Sequence, residues 1–496
     1  MTSRLALLAL IFSTALSARA EVSVDRMFSD HMVLQRDLAV PVWGTAKPGE
    51  TVTVSFRGQS KTTKAGPDGA WSVKLDPLNV GDPGELKVNT IVFKDVLVGE
   101  VWVGSGQSNM AGGSQGYAKN DPVLAGWIEA GPYPDLRLYK GSWNLADSAT
   151  IRKFSAIHFS FGLSLHKELK VPVGLMVGAV GGTPSGRWLS EEMAEAHPGL
   201  MATMRENRAA QEAKYEKALA KWKEQADKAK TAGRKPPRKP RGPIQIGDLY
   251  QRHLEPFVPY GIRGVLWDQG ESRTQLPGVD QYTTMDALIG GWRKIWGQGD
   301  FPFLHVQKPS GGGPAWDPEN PVNRLAVKFT APPAKSNPKG QSMDYPLNHI
   351  KIASLKNAPI VTAVDLAPGI HPANKSGYGR RACRVALGSV YGHDVAICGP
   401  VYKSHKVEGN TIRVTYDHVG QGLARKHGDA LHGFDIAGAD GQWARAIAKI
   451  DGNTVVVQSD TVASPVHVQY AMDKKPSYAN LFNKDGLPAL MFTTAE

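Results

Sequence analysis

At 496 residues the chain is too long for one ordinary hydrophobic core, so two or three domains are expected. Apolar residues at 41% with only 21% charged exclude global disorder, and 53 Gly with 34 Pro indicate a loop-rich, β-containing protein. Two cysteines exclude a disulfide scaffold and a cysteine-rich zinc site. The net charge of +12 is mostly local: +8 of it lies between Arg205 and Arg241, without interleaved stacking aromatics, so no nucleic-acid partner is expected.

The first twenty residues read as a secretory signal: Arg4 is a short basic region, Leu5–Leu16 is apolar, and Ala18-Arg19-Ala20 is a small-x-small cleavage site. The run is short for a membrane span, and no later segment approaches 18 apolar residues, so no membrane insertion is expected. This predicts a secreted or periplasmic protein. Export makes a Cys383–Cys398 disulfide feasible, with two buried thiols as the alternative. Residues 21–95 alternate in short runs such as "AVPVWGTA" and "ETVTVSF", separated by turn clusters such as "KPGE" and "GPDG", and predict an N-terminal antiparallel β-domain.

From 96 to 399 continuous apolar strands alternate with helices: "VLVGEVWVG", "FSAIHFSFGLSLHKEL", "VGLMVGAV", "IRGVLWDQ", a helix from about 282 to 295, "APIVTAVDL", then helical 375–391. That alternation predicts an α/β domain with a parallel sheet covered on both faces. Within it, 199–243 predicts a charged helical arm ending in the proline-rich "GRKPPRKPRGP", most simply a solvated insertion. From 400 to 496, runs such as "TIRVTYDH" and "NTVVVQS" predict a C-terminal antiparallel β-domain.

Three segments carry chemistry. Ser108 lies in "GSGQSNM" directly after an apolar strand, where open α/β sheets place their sites. On position alone it is either a turn serine or a nucleophile, since a hydroxyl needs a base and oxyanion donors. "VGAVGGTPSGRW" leaves backbone N–H groups of a Gly-Gly turn available for such donors, or is simply a tight strand-to-helix turn. "GIHPANKSGYGRR" puts His371 in a loop between a strand and a helix, either as a base reaching a neighbouring serine or as a surface histidine. No convincing metal-ligand cluster appears, and serine chemistry needs no cofactor.

Together "GEVWVGSGQSNM", "GGTPSGRW", "YGIRGVLWDQGES" and "IHPANKSGYGRR", in this order, resemble the sialate O-acetylesterase family of secreted carbohydrate esterases in the SGNH-hydrolase superfamily. The resemblance extends to "MFSDHMVLQRDLAVPVWGTAKPGETVTV" and "NLFNKDGLPALMF" at the two ends. It implies an SGNH-hydrolase-like sheet between two β-domains, and a serine esterase that removes O-acetyl groups from a carbohydrate. Ser108 would be the nucleophile and His371 the base, with oxyanion donation from Gly182 and the Ser108 backbone. Gln107, Asn109, Gln269 and Gly270 would line the oxyanion and substrate pocket. This chain departs from the family at Asp268, where an aromatic or histidine is usual, and at Arg273, where Asn or Asp is usual. It also has Pro368 and Gly369 where an aspartate often precedes the histidine. Glu271, Asp268 and Asp365 are the acids that could replace that aspartate, and Glu271 is favoured because it lies in a matched block. Alternatives are an acetylxylan or other polysaccharide acetylesterase, and a non-catalytic carbohydrate-binding protein.

Overall fold

The computed structural model describes residues 22–240, 242, 246–308, 317, 319, 320, 323–333 and 343–495. The first 21 residues, which include the segment read from the sequence as a signal, and part of the 309–345 loop lie outside the described residues. The sheet that carries the site consists of β1 (Ile91–Gly106), β2 (Tyr133–Tyr139), β3 (Trp143–Ala146), β4 (Val173–Ala179), β5 (Gly264–Asp268), β6 (Phe303–Val306) and β7 (Ile360–Val361). Their spatial order is β3-β2-β4-β1-β5-β6-β7. All neighbours run parallel except β3, an antiparallel edge strand.

Period-two alternation explains why these strands read as continuously apolar. In β5, Val265 and Trp267 join one core and Leu266 the other, because successive side chains leave opposite faces. The elements that matter for the site are α1 (Ser108–Ala111), α2 (Pro122–Glu129), α3 (Ala156–Leu169), α4 (Leu200–Thr231), α5 (Gln281–Trp296) and α6 (Lys375–Ser389). Helices α3 and α6 cover the Leu266 face with Phe159, Phe161, Tyr378 and Ala382. Helix α5 covers the other with Met285, Leu288 and Trp292. Ser155, Asp280 and Asn374 cap α3, α5 and α6 through their side-chain oxygens, which fixes where each begins.

The expected α/β class and SGNH-hydrolase-like architecture are therefore observed, with antiparallel sheets on either side. Residues 40–45 pair with 70–75 and 51–56 with 59–64 at the N-terminal end. At the C-terminal end 401–408, 411–417, 454–458 and 447–451 form a four-stranded sheet. The N-terminal sheet is not set off by a linker. β1 is one 16-residue strand: its first part pairs antiparallel with 84–88, its middle parallel with 33–35, and its last part with β4 and β5. The change of pattern near residue 96 falls inside this strand, where its neighbours change from solvent-facing antiparallel strands to buried parallel ones.

Cys383 and Cys398 are buried free thiols, and burial pushes both thiol pKa values up to about 12. No helix among the described residues is long and apolar enough to cross a membrane.

Candidate active site

The turn after β1 is built for close approach. Gly106 has φ +127°, and a Cβ there would lie 2.2 Å from the Asp268 carbonyl oxygen, so only glycine fits. The Gln107 N–H donates to that same carbonyl at 2.9 Å, and the Val180 N–H donates to the Gly106 carbonyl at 3.1 Å. The chain then enters α1 with Ser108 as its first residue, half-buried at the carboxyl edge of the parallel strands. His371, in the loop before α6, is exposed and places Nε2 2.8 Å from Ser108 Oγ. The two residues are 263 positions apart in sequence.

The Gly-Gly turn after β4 lies against the serine: a Cβ on Gly181 would sit 3.6 Å from Ser108 Cβ. Gly182 follows it at the surface. Among the described residues, no acceptor is recorded for the N–H groups of Ser108, Gly181 or Gly182. Uncommitted N–H groups beside a serine hydroxyl are the kind of donor that an oxyanion hole needs.

None of the three candidate acids reaches His371. Asp365 is fully buried and receives two hydrogen bonds from the Arg381 guanidinium, at 3.1 and 2.9 Å. Asp268 is fully buried 2.7 Å from Lys308 Nζ. Glu271, expected to orient the histidine, instead faces Lys308 Nζ at 2.8 Å and accepts from Gln107 Nε2 at 2.6 Å and Asn109 Nδ2 at 3.4 Å. The buried Lys308 ammonium requires counter-charge, and this draws Glu271 beneath the serine rather than beside the imidazole.

The electrostatics follow from burial. Burial alone would raise Glu271, but Lys308 outweighs it and holds the carboxyl below the ordinary range. Burial pushes Asp268 up against the pull of the same lysine. Lys308 is disfavoured by burial, yet the two carboxylates raise its pKa. Lys375, fully buried at the start of α6, falls to about 7, chiefly through burial and only partly offset by Asp268.

The residues expected to line the pocket act differently. Gln107 and Asn109 are buried, and their amides brace Glu271 rather than face outward. Gln107 Oε1 also accepts from the Ser272 N–H at 3.4 Å. Gln269 is fully buried and donates to the Thr183 and Arg273 carbonyls at 3.3 and 3.1 Å, which ties the Gly-Gly-Thr turn to the 269–273 loop. Gly270 is a packing glycine whose carbonyl accepts from Tyr345 Oη; a Cβ there would lie 2.6 Å from Lys308 Cγ. The departure at Arg273 is a strained one. Its φ of +54° suits Asn or Asp better, and its guanidinium lies over the Tyr345 ring at 5.2 Å.

Sequence reasoning missed Lys308 and Lys375. Lys308 ends the apolar run "FPFLHVQK", and a lysine closing a buried parallel strand is a signal that could have been read. Lys375 stood unassigned within "IHPANKSGYGRR". Among the described residues no group of three or more His, Cys, Asp or Glu could hold a metal ion.

No family model matches the chain. It is 26% identical over 442 residues to the sialate O-acetylesterase of Mus musculus, covering 78% of this chain and 77% of that protein. It is 29% identical over 325 residues to the sialate O-acetylesterase of Homo sapiens, covering 57% of this chain but only 56% of that protein, less than two thirds of its length. The crystal structure of a carbohydrate acetylesterase from Xanthomonas citri superposes with a TM-score of 0.73 at 27% identity, covering 96% of this chain and 99% of that one.

Proposed function

Because the chain is a relative of the sialate O-acetylesterase family and of a carbohydrate acetylesterase with the same fold, we propose that it is a serine esterase that removes O-acetyl groups from a carbohydrate. The observation that carries this is the 2.8 Å contact between Ser108 Oγ and His371 Nε2 at the carboxyl edge of the parallel sheet. Ser108 Oγ attacks the acetyl carbonyl as its proton passes to His371 Nε2. The oxyanion is held by the N–H groups of Ser108 and the Gly-Gly turn. Collapse of the tetrahedral intermediate breaks the C–O bond to the sugar, and the sugar oxygen takes the proton from His371. Water, deprotonated by His371, then attacks the acetyl-enzyme and releases acetate and free Ser108.

An O-acetylated sialic acid is the first substrate to test, by analogy with the sialate O-acetylesterases; an acetylated xylan is the second. Acetate release from a panel of both decides between them. Ser108→Ala should lower turnover of an activated acetyl ester by about 10^6-fold, the scale of nucleophile loss in a serine hydrolase, with the melt unchanged. Turnover near wild type in that variant rules out the mechanism. One observation favours a non-catalytic carbohydrate-binding protein instead, namely a His371 without a carboxylate partner among the described residues; wild type that releases no acetate from any substrate would establish it. The proposed site of action is outside the cytoplasm, on the strength of the first twenty residues alone.

A further inference from the structure

Among the described residues no carboxylate reaches His371, yet it stands in hydrogen-bond contact with Ser108. Its main chain is held instead. The carbonyl of Ile370, the residue before it, accepts from Asn109 Nδ2 at 3.0 Å. Asn109 follows Ser108 directly, so the serine and histidine segments are joined by one amide. That amide is saturated: its second proton goes to Glu271 Oε1 at 3.4 Å, and Oδ1 accepts from Lys375 Nζ at 2.5 Å. With acceptors on the nitrogen side and an amine on the oxygen side, the amide has one orientation.

Lys375 is a poor choice for stability alone. It is fully buried, and no carboxylate lies within 4.0 Å of its Nζ among the described residues. Its other near neighbours are the Tyr117 and Tyr378 rings, at 4.3 and 5.3 Å. The charged groups that act on it, Asp268, Glu271, Asp121 and Lys308, do so at longer range, and burial still lowers its pKa to about 7. It is also the first residue of α6, where the helix dipole disfavours a cation. A buried cation at the positive end of a helix, bonded to a neutral amide, marks a position where function outweighs stability.

We infer that Lys375 and Asn109 are positioning residues that stand in for the triad carboxylate: Lys375 fixes the Asn109 amide, which holds the Ile370 carbonyl and so keeps His371 on Ser108. This rests on the esterase reading above. The amide also gives the serine and the base a common anchor, whereas a carboxylate on Nδ1 would hold the base alone.

The test is Lys375→Met, which keeps the length and removes both the charge and the donor. Turnover of an activated acetyl ester is measured as separate kcat and KM values, beside a thermal melt. The expected result is a kcat about 10–100-fold lower, the scale of a small misplacement of a reacting group. KM should stay within about twofold and Tm should be unchanged or higher, because the misplaced charge is gone. A kcat equal to wild type overturns the inference, and so does a loss of activity that tracks a lowered Tm or a variant that does not fold, because either makes Lys375 merely structural. Wild type that turns over no acetyl ester defeats the esterase reading and takes the inference with it; wild-type turnover with an indifferent variant defeats the inference alone.

Discussion

Two acids near the site, the buried Asp365 and the part-buried Glu271, have different partners, and substitution should separate them. Asp365→Asn breaks a buried bidentate pair with Arg381, so it should destabilise the fold by about 3–5 kcal/mol while the folded fraction keeps its kcat. Glu271→Gln should lower kcat by about 10–100-fold, well short of the ~10^4 that follows loss of a triad carboxylate, because Glu271 braces Gln107 and Asn109 and does not touch His371. Urea melts and steady-state kinetics on the two variants check both outcomes; a 10^4-fold loss in Glu271→Gln would restore it as the orienting acid. Ser108, His371 and the Gly-Gly turn were singled out by their positions after apolar strands, but position left each a bland alternative, and their roles came from the resemblance. The network beneath them was not legible, because it depends on which way buried amides and ammonium groups turn. Glu271 lay in the right motif, but only packing against Lys308 determines what it bonds.

At the scale of elements, the ranges of α5 and α6 were legible to within two residues from their helical pattern, whereas their caps, Asp280 and Asn374, emerge only in the structure. Helix α4 was legible for the opposite reason: too few apolar residues to bury. Leu200 is its one buried residue, and its first turns lean on the loop at Gly278, where a Cβ would meet Asn207 Nδ2 at 2.5 Å. Further out the arm bonds mainly to itself. Arg208–Glu212 and Glu224–Lys228 pair at 2.8 and 2.5 Å, i,i+4 contacts in full solvent that contribute little. Trp222 Nε1 donates to the Pro237 carbonyl at 2.8 Å, so the proline segment folds back along the helix. That return brings Gly242 against the Tyr215 ring. Deleting residues 216–240 and joining the ends there should leave Tm within about 2 °C, since little apolar area is lost, and should leave kcat unchanged. A collapse of the melt would show that the arm packs on the rest of the chain.

Over the whole molecule, two of the perturbed groups of the site, Glu271 and Lys375, each make stability rise with pH, in two separate windows. Glu271 has a folded pKa below its unfolded one, so its contribution is present above about pH 4.3 and is lost as pH falls through the folded value. Lys375 is lowered from an ordinary value of about 10.4 to about 7 in the folded chain. Between those values the unfolded chain binds the extra proton, so stability rises with pH from about 7 toward 10. Melts across that range should show the rise in wild type and a flatter course in Lys375→Met; parallel curves would place Lys375 in water. The strand β1 has a consequence of another kind. Half of it belongs to a sheet made by nearby sequence and half to strands 70 to 170 residues further on, so neither part has a complete hydrogen-bond ladder without the other. Heating should therefore give one calorimetric peak rather than a separate early one for residues 22–95. A chain started at residue 96 would expose Leu97–Gly99 as a bare, apolar strand margin where 33–35 had paired, and such a margin recruits other chains; the truncated product is expected in the insoluble fraction.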